Sequence, residues 1–277
     1  MPAVELANDP AVLVAFRERG GGTRRGLREA VNAVGALIQR EAATRYGGTR
    51  FGFLWAFIEP ALFFAVFLGL RTLIRDSVPF GESALVFLMS GLITVRASLA
   101  IARRPIGVLR GSAALLTFPM VQPIDLVIAR IVVEILTMGT VMLVFYALVV
   151  GTSDAVRIND FAQFIYAVGA LFVLGAGVGA FGAVMCVLVP AYKVFFPLLS
   201  FPLLILSGVF YVPALLPPFA IEILSWNPVL HCVEWFREAI YLDYLSVLDR
   251  SYPLVFGATA LWLGLVMVYV FKARLLR

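Results

Sequence analysis

The sequence predicts an all-α integral membrane protein with six transmembrane helices. Three observations predict this class: six long apolar stretches between residues 53 and 271, an apolar fraction of 62%, and a charged fraction of only 14%. Soluble domains average roughly 45–50% apolar and about 25% charged residues. About twenty consecutive apolar residues are what a helix needs to cross a bilayer. The chain is therefore expected to reside in a membrane.

The apolar stretches also set the topology. They place the predicted spans at residues 54–74, 83–102, 121–150, 162–189, 194–212 and 252–272. An even number of crossings puts both termini on one side, and short cytoplasmic segments retain Lys and Arg. Of the 22 Lys and Arg residues, fifteen fall on the side of the termini and five on the opposite side, with Arg96 and Arg130 inside or beside spans. Both termini are therefore predicted to be cytoplasmic.

The residues before the first span divide into two parts. Residues 1–26, which include three consecutive glycines at 20–22, are predicted to form a flexible cytoplasmic segment. Residues 27–50 are predicted to form an amphipathic helix in the membrane interface. Its apolar residues recur at helical spacing between polar and cationic ones, namely Leu27, Val31, Val34 and Ile38. A cytosolic helix packed on a partner would show the same pattern. Residues 51–277 are then predicted to form a single six-span transmembrane domain.

The segment between the second and third spans is predicted to be a short amphipathic helix on the cytosolic face. Pro105 can occupy the first turn of a helix, where its missing N–H costs nothing, and Pro119 would end the helix. A membrane protein that is driven from the cytosol needs such a handle. A plain connector is the alternative.

The region between the fifth and sixth spans is predicted to hold two short re-entrant helices on the outer side. Four prolines break residues 212–251 into apolar pieces, 220–226 and 229–244, that are too short to cross the bilayer. Such pieces can dip into the membrane where protein or water satisfies the backbone. Their aromatic side chains are predicted to form an interfacial belt, with stacking on sugars along an exit path as the alternative: Trp226, Trp235, Phe236, Tyr241 and Tyr244.

Five ionisable residues lie within or beside the first three spans. They are Glu59, Arg96, Asp125, Arg130 and Glu134. A charge in hydrocarbon is unfavourable by at least about 2.5–3.5 kcal/mol and is normally paired or facing water. Arg130 and Glu134 are one helical turn apart on one face. Two interpretations stay open: a structural ion-pair network joining spans one to three, or a cytosolic gate for a polar, anionic substrate.

The fourth span carries small residues at positions that favour close helix packing. Gly175 and Gly179 have the small-xxx-small spacing. The sequence leaves open whether the partner helix belongs to the same subunit or to a second one.

No catalytic motif is present in the sequence. A single histidine, His231, excludes a zinc site of the HExxH kind, and neither a GxSxG elbow nor a GxxxxGK[ST] loop occurs. The chain is therefore not expected to be an enzyme, to hold a cofactor or to hydrolyse ATP. The net charge of +5 needs no nucleic acid, because the cationic residues concentrate at the predicted cytoplasmic boundary, where they meet lipid or a cytosolic partner.

Three stretches resemble a known family. They are RYGGTRFGFLWAFIEP at residues 45–60, FPMVQPID at 118–125 with Ala129, Arg130 and Glu134, and SGVFYV at 207–212 followed by WNPVLH at 226–231 and Arg237. In this order they resemble permease subunits of bacterial capsular polysaccharide ABC exporters. Two features depart from the family pattern: residues 47–49 crowd the turn of the first stretch, and Arg96 stands in the second span.

This resemblance implies an assembly in the bacterial inner membrane. A second copy of the chain would complete a channel for a lipid-linked acidic polysaccharide, and two copies of a separate ATPase would bind ATP and Mg²⁺. A periplasmic co-polymerase-type adaptor and an outer-membrane polysaccharide channel would continue the path. The segment from Pro105 to Phe118 would be the coupling helix that docks on the ATPase.

The resemblance also implies which residues carry each function. The residues expected to couple to the ATPase are Arg104, Ile106, Leu109, Arg110, Leu115 and Phe118. The cytosolic entrance is expected at Arg45, Arg50, Glu59, Arg130 and Glu134. The aromatic residues expected to line the channel are Trp55, Phe63, Phe67, Phe196, Phe210 and Tyr211.

Other functions fit parts of the pattern. An O-antigen or teichoic acid export permease would share the motifs, and a multidrug efflux permease would share the six spans and the coupling helix. A membrane-embedded glycosyl- or phosphotransferase would require clustered acidic residues and histidines at one interface. Glu59, Asp125 and Glu134 show no metal-binding spacing.

Overall fold

The computed structural model describes residues 23–46, 54–74, 79–81, 83–117, 121–152 and 158–271. These residues form helices and the segments that join them. Ten α-helices follow in chain order: α1 Thr23–Tyr46, α2 Trp55–Ile74, α3 Ala84–Arg103, α4 Val108–Gly111, α5 Pro123–Thr152, α6 Phe161–Leu188, α7 Tyr192–Leu206, α8 Pro218–Leu224, α9 Pro228–Ile240 and α10 Ser251–Val270. Two 3₁₀ turns, Ala113–Thr117 and Pro213–Leu215, precede α5 and α8. Of the predicted features, most of the N-terminal segment, Arg50 and Phe118 lie outside the described residues.

All six predicted apolar stretches contain a helix. Four of these helices, α3, α5, α6 and α10, are long and apolar enough to cross a membrane. The apolar part of α2, Trp55–Leu70, and the whole of α7 are shorter. The stretch predicted over 194–212 differs, because α7 ends at Leu206. Gly208 then takes a positive φ of 72°, a conformation that terminates helices and that glycine adopts without steric penalty.

Helix α1 begins at Thr23, four residues before the predicted start, and lies along α5. Leu37 is buried in an apolar cluster with Val108 of α4 and Leu126 of α5, whereas Val31 is exposed. The amphipathic pattern therefore turns one face of α1 towards the bundle.

The centre of the bundle is α3, which packs against α2, α5, α6, α7 and α9. The most extensive helix contact joins α6 to α10. A Cβ atom at Gly177 would overlap the carbonyl oxygen of Gly257, and one at Gly257 would lie 2.7 Å from the Cα of Leu174. Gly175 packs instead against Ile101 of α3. The glycine face of α6 is therefore used within the subunit.

The region after α7 packs inward more than expected. Asn227 caps α9 by accepting a hydrogen bond from the Val229 N–H at 3.0 Å, with Pro228 in the first turn, where its missing N–H needs no partner. Trp235, Phe236 and Tyr244 are buried, and only Trp226 is strongly exposed. The predicted aromatic belt is thus wrong for these three residues, because α9 packs against α3 and α6 and Tyr244 packs with Phe87 of α3.

Candidate functional site

A cavity of about 590 Å³ lies between α2, α3, α5 and α7. It is at the end of the bundle where α3 finishes, which the sequence predicts to be cytoplasmic. Its apolar wall includes Trp55, Phe63, Met138 and Leu204. Its ionisable wall consists of four arginines and two glutamates: Arg45, Arg96, Arg103, Arg104, Glu59 and Glu134. The cavity therefore combines apolar surface with an excess of positive charge.

Glu134 is the most buried ionisable residue of the wall, with only 1% of its side chain exposed. It lies on α5 and forms an ion pair with Arg45 at the end of α1, and the second Arg45 nitrogen is 3.4 Å from the other carboxylate oxygen. The Nε of Arg104 is 3.6 Å from the same carboxylate. Two guanidinium groups from separate parts of the chain thus neutralise a carboxylate that burial alone would strongly disfavour.

One turn away, the same two helices are joined by a second ion pair. Arg130 Nε on α5 is 3.0 Å from a carboxylate oxygen of Glu41 on α1. Because Glu41 and Arg45 are four residues apart, as are Arg130 and Glu134, the two helices present complementary charge pairs. Arg130 is not part of the cavity wall. In this structure it holds α1 against α5.

Arg96, unusual in its predicted span, pairs with Glu59 of α2. Its guanidinium carbon also lies 4.5 Å from the ring centroid of Phe63, a geometry in which a cation is attracted to the face of an aromatic ring. Both charged groups line the cavity. An ion pair therefore joins the first two predicted spans. Arg130 and Glu134 do not join this pair, because each is paired with a residue of α1.

An aromatic series leads away from the cavity. The ring of Phe63 is 5.2 Å from that of Phe67, which is 5.0 Å from that of Phe210. Trp55 is exposed at the cavity wall. The other two expected channel residues, Phe196 and Tyr211, are not among the residues that line the cavity. Phe196 is buried and stacks on Tyr192.

The segment after α3 is less regular than the single helix that the sequence predicts. Gly107 takes a φ of 88°, and the helical turn α4 is separated from the 3₁₀ turn Ala113–Thr117 by Ser112. Leu109 is 2% exposed and packs with Leu126 and Val127 of α5. The exposed surface is instead formed by Arg104, Arg110, Gly111, Ala113, Ala114 and Thr117, with Ile106 and Leu115 half-buried. Leu109 therefore anchors the segment to the bundle.

Arg110 ties this segment to a second helix. Its guanidinium donates a 3.0 Å hydrogen bond to the carbonyl of Val187, in the last turn of α6. A cation near a helix C-terminus is also favoured by the helix dipole. Displacement of this surface would consequently be transmitted to both α5 and α6.

At the opposite end, α9 contains a buried charge cluster, of which the sequence analysis named Arg237 only as part of the family resemblance and did not name Glu234. Arg237 is fully buried, 3.7 Å from a Glu234 oxygen, and donates to the carbonyl of Val209 at 3.0 Å. Its guanidinium carbon lies 3.8 Å from the centroid of Phe87. The Tyr244 hydroxyl donates to Glu234 at 2.6 Å. The signal in the sequence is the Glu234 and Arg237 pair, three residues apart within an apolar helix.

Two other groups at this end of the bundle form local hydrogen bonds. His231 Nε2 lies 2.8 Å from the Ser225 carbonyl, and its Nδ1 accepts a hydrogen bond from the Asp249 N–H at 3.1 Å. Asp249 accepts hydrogen bonds from Ser251, which lower the pKa of its carboxyl. Within the described residues, no group of three or more His, Cys, Asp or Glu side chains could hold a metal ion.

Comparison with known proteins gives a consistent result. The family model described as ABC-2 type transporter matches residues 32–241. The polysialic acid transport protein KpsM of Escherichia coli is 32% identical over 235 residues, covering 84% of this chain and 91% of the relative. The capsule polysaccharide export inner-membrane protein BexB of Haemophilus influenzae is 31% identical over 245 residues, covering 86% and 91%. Its counterpart CtrC of Neisseria meningitidis serogroup A is 27% identical over 245 residues, with the same coverage.

Proposed function

We propose that this chain, which belongs to the ABC-2 type transporter family, is the inner-membrane permease subunit of an ATP-driven exporter of capsular polysaccharide. One observation carries the proposal: in a chain similar over most of its length to capsule export proteins, arginines line a cavity between α2, α3, α5 and α7 that continues into aromatic rings. A multidrug permease would favour an apolar cavity, whereas arginines suit an anionic, sugar-bearing substrate.

The proposed topology has six crossings with both termini in the cytoplasm. Helices α3, α5, α6 and α10 supply four crossings, and α2 and α7 supply the other two. Apolar side chains exposed along α2 support its assignment, since Leu62, Val66 and Leu70 recur every four residues on one face. Helices α8 and α9 are proposed to be the re-entrant pair of the outer leaflet.

Two copies of the chain are proposed to enclose the channel. The cavity is bounded by α2 and α7, which make fewer contacts with the rest of the bundle than α3 or α6 do. Phe201, which lines the cavity, is strongly exposed. Exposed apolar groups beside a polar cavity would be buried if the cavity of a second copy faced this one.

The coupling surface is proposed to be the exposed side of residues 104–117. The chain itself lacks a nucleotide-binding motif, so two copies of a separate ATPase would bind ATP and Mg²⁺ and press on this surface. Movement there would reach α5 through Leu109 and α6 through Arg110, and thereby open the cavity.

The substrate is proposed to be a lipid-linked acidic polysaccharide. It would enter near Arg45, Glu59 and Glu134 and pass along Phe63, Phe67 and Phe210, whose ring faces can make many weak contacts with sugars. A periplasmic co-polymerase-type adaptor and an outer-membrane channel would receive it on the other side.

The test uses a deletion strain complemented with the wild-type gene or with Ala114→Asp, which places a charge on the exposed coupling surface. Ala162→Asp, an exposed alanine at the other end of the bundle, is the matched control. Surface and intracellular polysaccharide are quantified while membrane insertion is verified. The deletion strain and Ala114→Asp are expected to retain polymer inside the cell, and Ala162→Asp to restore export.

Normal surface polysaccharide in the deletion strain would refute the proposed function. Equal export by Ala114→Asp and Ala162→Asp would refute the proposed position of the coupling surface and leave the proposed function standing.

A further inference from the structure

We infer that the cavity binds a phosphate or carboxylate group of the substrate through arginines that Glu134 occupies while no substrate is bound. Glu134 is then an internal placeholder that the incoming anion displaces. The inference rests on the proposed function, and it adds the ligand chemistry and the residue that gives way.

The charges of the wall support an anion site. Four guanidinium groups face two carboxylates, which leaves two positive charges in excess. Arg45 and Arg104 pair with Glu134, and Arg96 pairs with Glu59. Arg103 has no carboxylate partner among the residues that the structure describes. The wall can therefore accept an anion without any change to its own ion pairs, and can accept it more closely if Glu134 moves aside.

The position of Glu134 explains why it would be exchanged. A carboxylate that is 1% exposed must be paired, and both of its arginine partners also line the cavity. A substrate anion therefore meets the same guanidinium groups. Replacing one charge-assisted contact by another keeps the arginines paired, so the ligand is held without being trapped. A transported group has to enter a site and leave it again.

Other ion pairs in this protein have a different setting. Glu41 and Arg130 join the same two helices at 3.0 Å, yet neither residue belongs to the cavity wall. Glu234 and Arg237 are fully buried at the other end of the chain's helical bundle. Neither pair lines the cavity, so Glu41 provides a matched control for Glu134.

The ligand class follows from the donor groups. Guanidinium groups present parallel N–H donors that match phosphate and carboxylate oxygens. A volume of about 590 Å³ falls in the range of small-ligand pockets, so it suits a head group with its first sugars. The anion could come from the lipid terminus or from acidic sugars of the polymer.

Binding of two probes to the full-length chain in phosphatidylcholine nanodiscs tests the inference. Dodecyl phosphate represents the lipid terminus, a sialic acid tetramer represents the polymer, and calorimetry with blank nanodiscs subtracted gives each Kd. Glu134→Gln is expected to tighten binding about tenfold, because Arg45 and Arg104 lose the competing carboxylate. Arg103→Gln is expected to weaken binding about tenfold, and Glu41→Gln to leave it unchanged.

If only the affinity for dodecyl phosphate changes in the variants, the site belongs to the lipid terminus. If only the affinity for the tetramer changes, the site belongs to the polymer. Each supports the inference. Unchanged affinity of both probes in Glu134→Gln would overturn it. If Glu134→Gln fails to fold, Arg104→Gln decides in its place, since the Arg104 side chain is 45% exposed and pairs with Glu134: weaker binding supports the inference and unchanged affinity overturns it. If the deletion strain loses surface polymer while the affinities of the Glu134→Gln chain for both probes are unchanged, the placeholder role of Glu134 is rejected and the proposed function is kept.

Discussion

Replacement of Gly257 by alanine should separate α6 from α10 and destabilise the protein. The added Cβ would lie 2.7 Å from both the Cα and the N of Leu174, and 2.9 Å from the carbonyl carbon of Val173. Ordinary van der Waals contact begins near 3.4 Å. Because all three are backbone atoms, no side-chain rotation relieves the overlap, and the helices must move apart by roughly 0.7 Å at this point.

The magnitude follows from that separation. Overpacking of a well-packed contact typically costs about 1–3 kcal/mol, and a gap of about 0.5–1 Å forfeits a quarter to a half of the dispersion attraction along the adjoining surface. Gly257→Ala should therefore lower the free energy of unfolding by about 1–3 kcal/mol. Gly177→Ala, on the other side of the same contact, should act in the same direction.

A control on α6, the helix that Gly257 contacts, has the opposite sign. Nothing lies within 4 Å of the position that a Cβ would take at Gly169. Alanine is favoured over glycine inside a helix by roughly 0.8–1.0 kcal/mol, so Gly169→Ala should be neutral or stabilising. Unfolding in mixed micelles, followed by far-UV circular dichroism, measures the difference. Equal stability of Gly257→Ala and Gly169→Ala would refute the close-packing argument.

Three further outcomes are expected. Arg237→Gln leaves a buried carboxylate without its cation and should lower the free energy of unfolding by about 3–5 kcal/mol. Arg250→Gln, at a side chain that is 48% exposed, should change the free energy of unfolding by less than about 1 kcal/mol. Similar losses in the two variants would contradict the burial argument. Glu41→Arg and Arg130→Glu should each lower the thermal midpoint, and the double exchange should recover part of the loss; additive losses would exclude a direct pair. The lowered pKa of Asp249 stabilises the fold above the ordinary value of 3.8, so the difference in thermal midpoint between wild type and Asp249→Asn should shrink as pH falls below that value; a constant difference would assign the effect to shape alone.

The membrane class was predictable because it depends on local properties. Hydropathy over about twenty residues marks a segment for the bilayer whatever its neighbours are, and each predicted apolar stretch contains a helix. The predicted end of the fifth stretch was wrong because hydropathy continues past Leu206, whereas the backbone turns at Gly208. The ends of helices depend on backbone conformation as well as on polarity.

Much of the candidate site was also visible in the chain. Arg45, Glu59 and Glu134 were selected as ionisable residues near the predicted cytoplasmic boundary, and all three line one cavity. Leu109 was expected to couple to the ATPase, but amphipathic spacing identifies the apolar side of a segment without saying what covers that side. In the structure α5 covers it, and the exposed surface is displaced to the neighbouring residues.

The sequence by itself determined that this protein is a helical membrane protein and which end of it is rich in arginine. It also predicted family membership, because the motifs lie in one linear order. Only the tertiary structure decided which charges meet: Arg45 reaches Glu134 across 89 positions of sequence, and Arg96 reaches Glu59 across 37. The physical reason is that hydropathy is a sum over neighbouring residues, whereas an ion pair depends on the rotation and the partner of each helix.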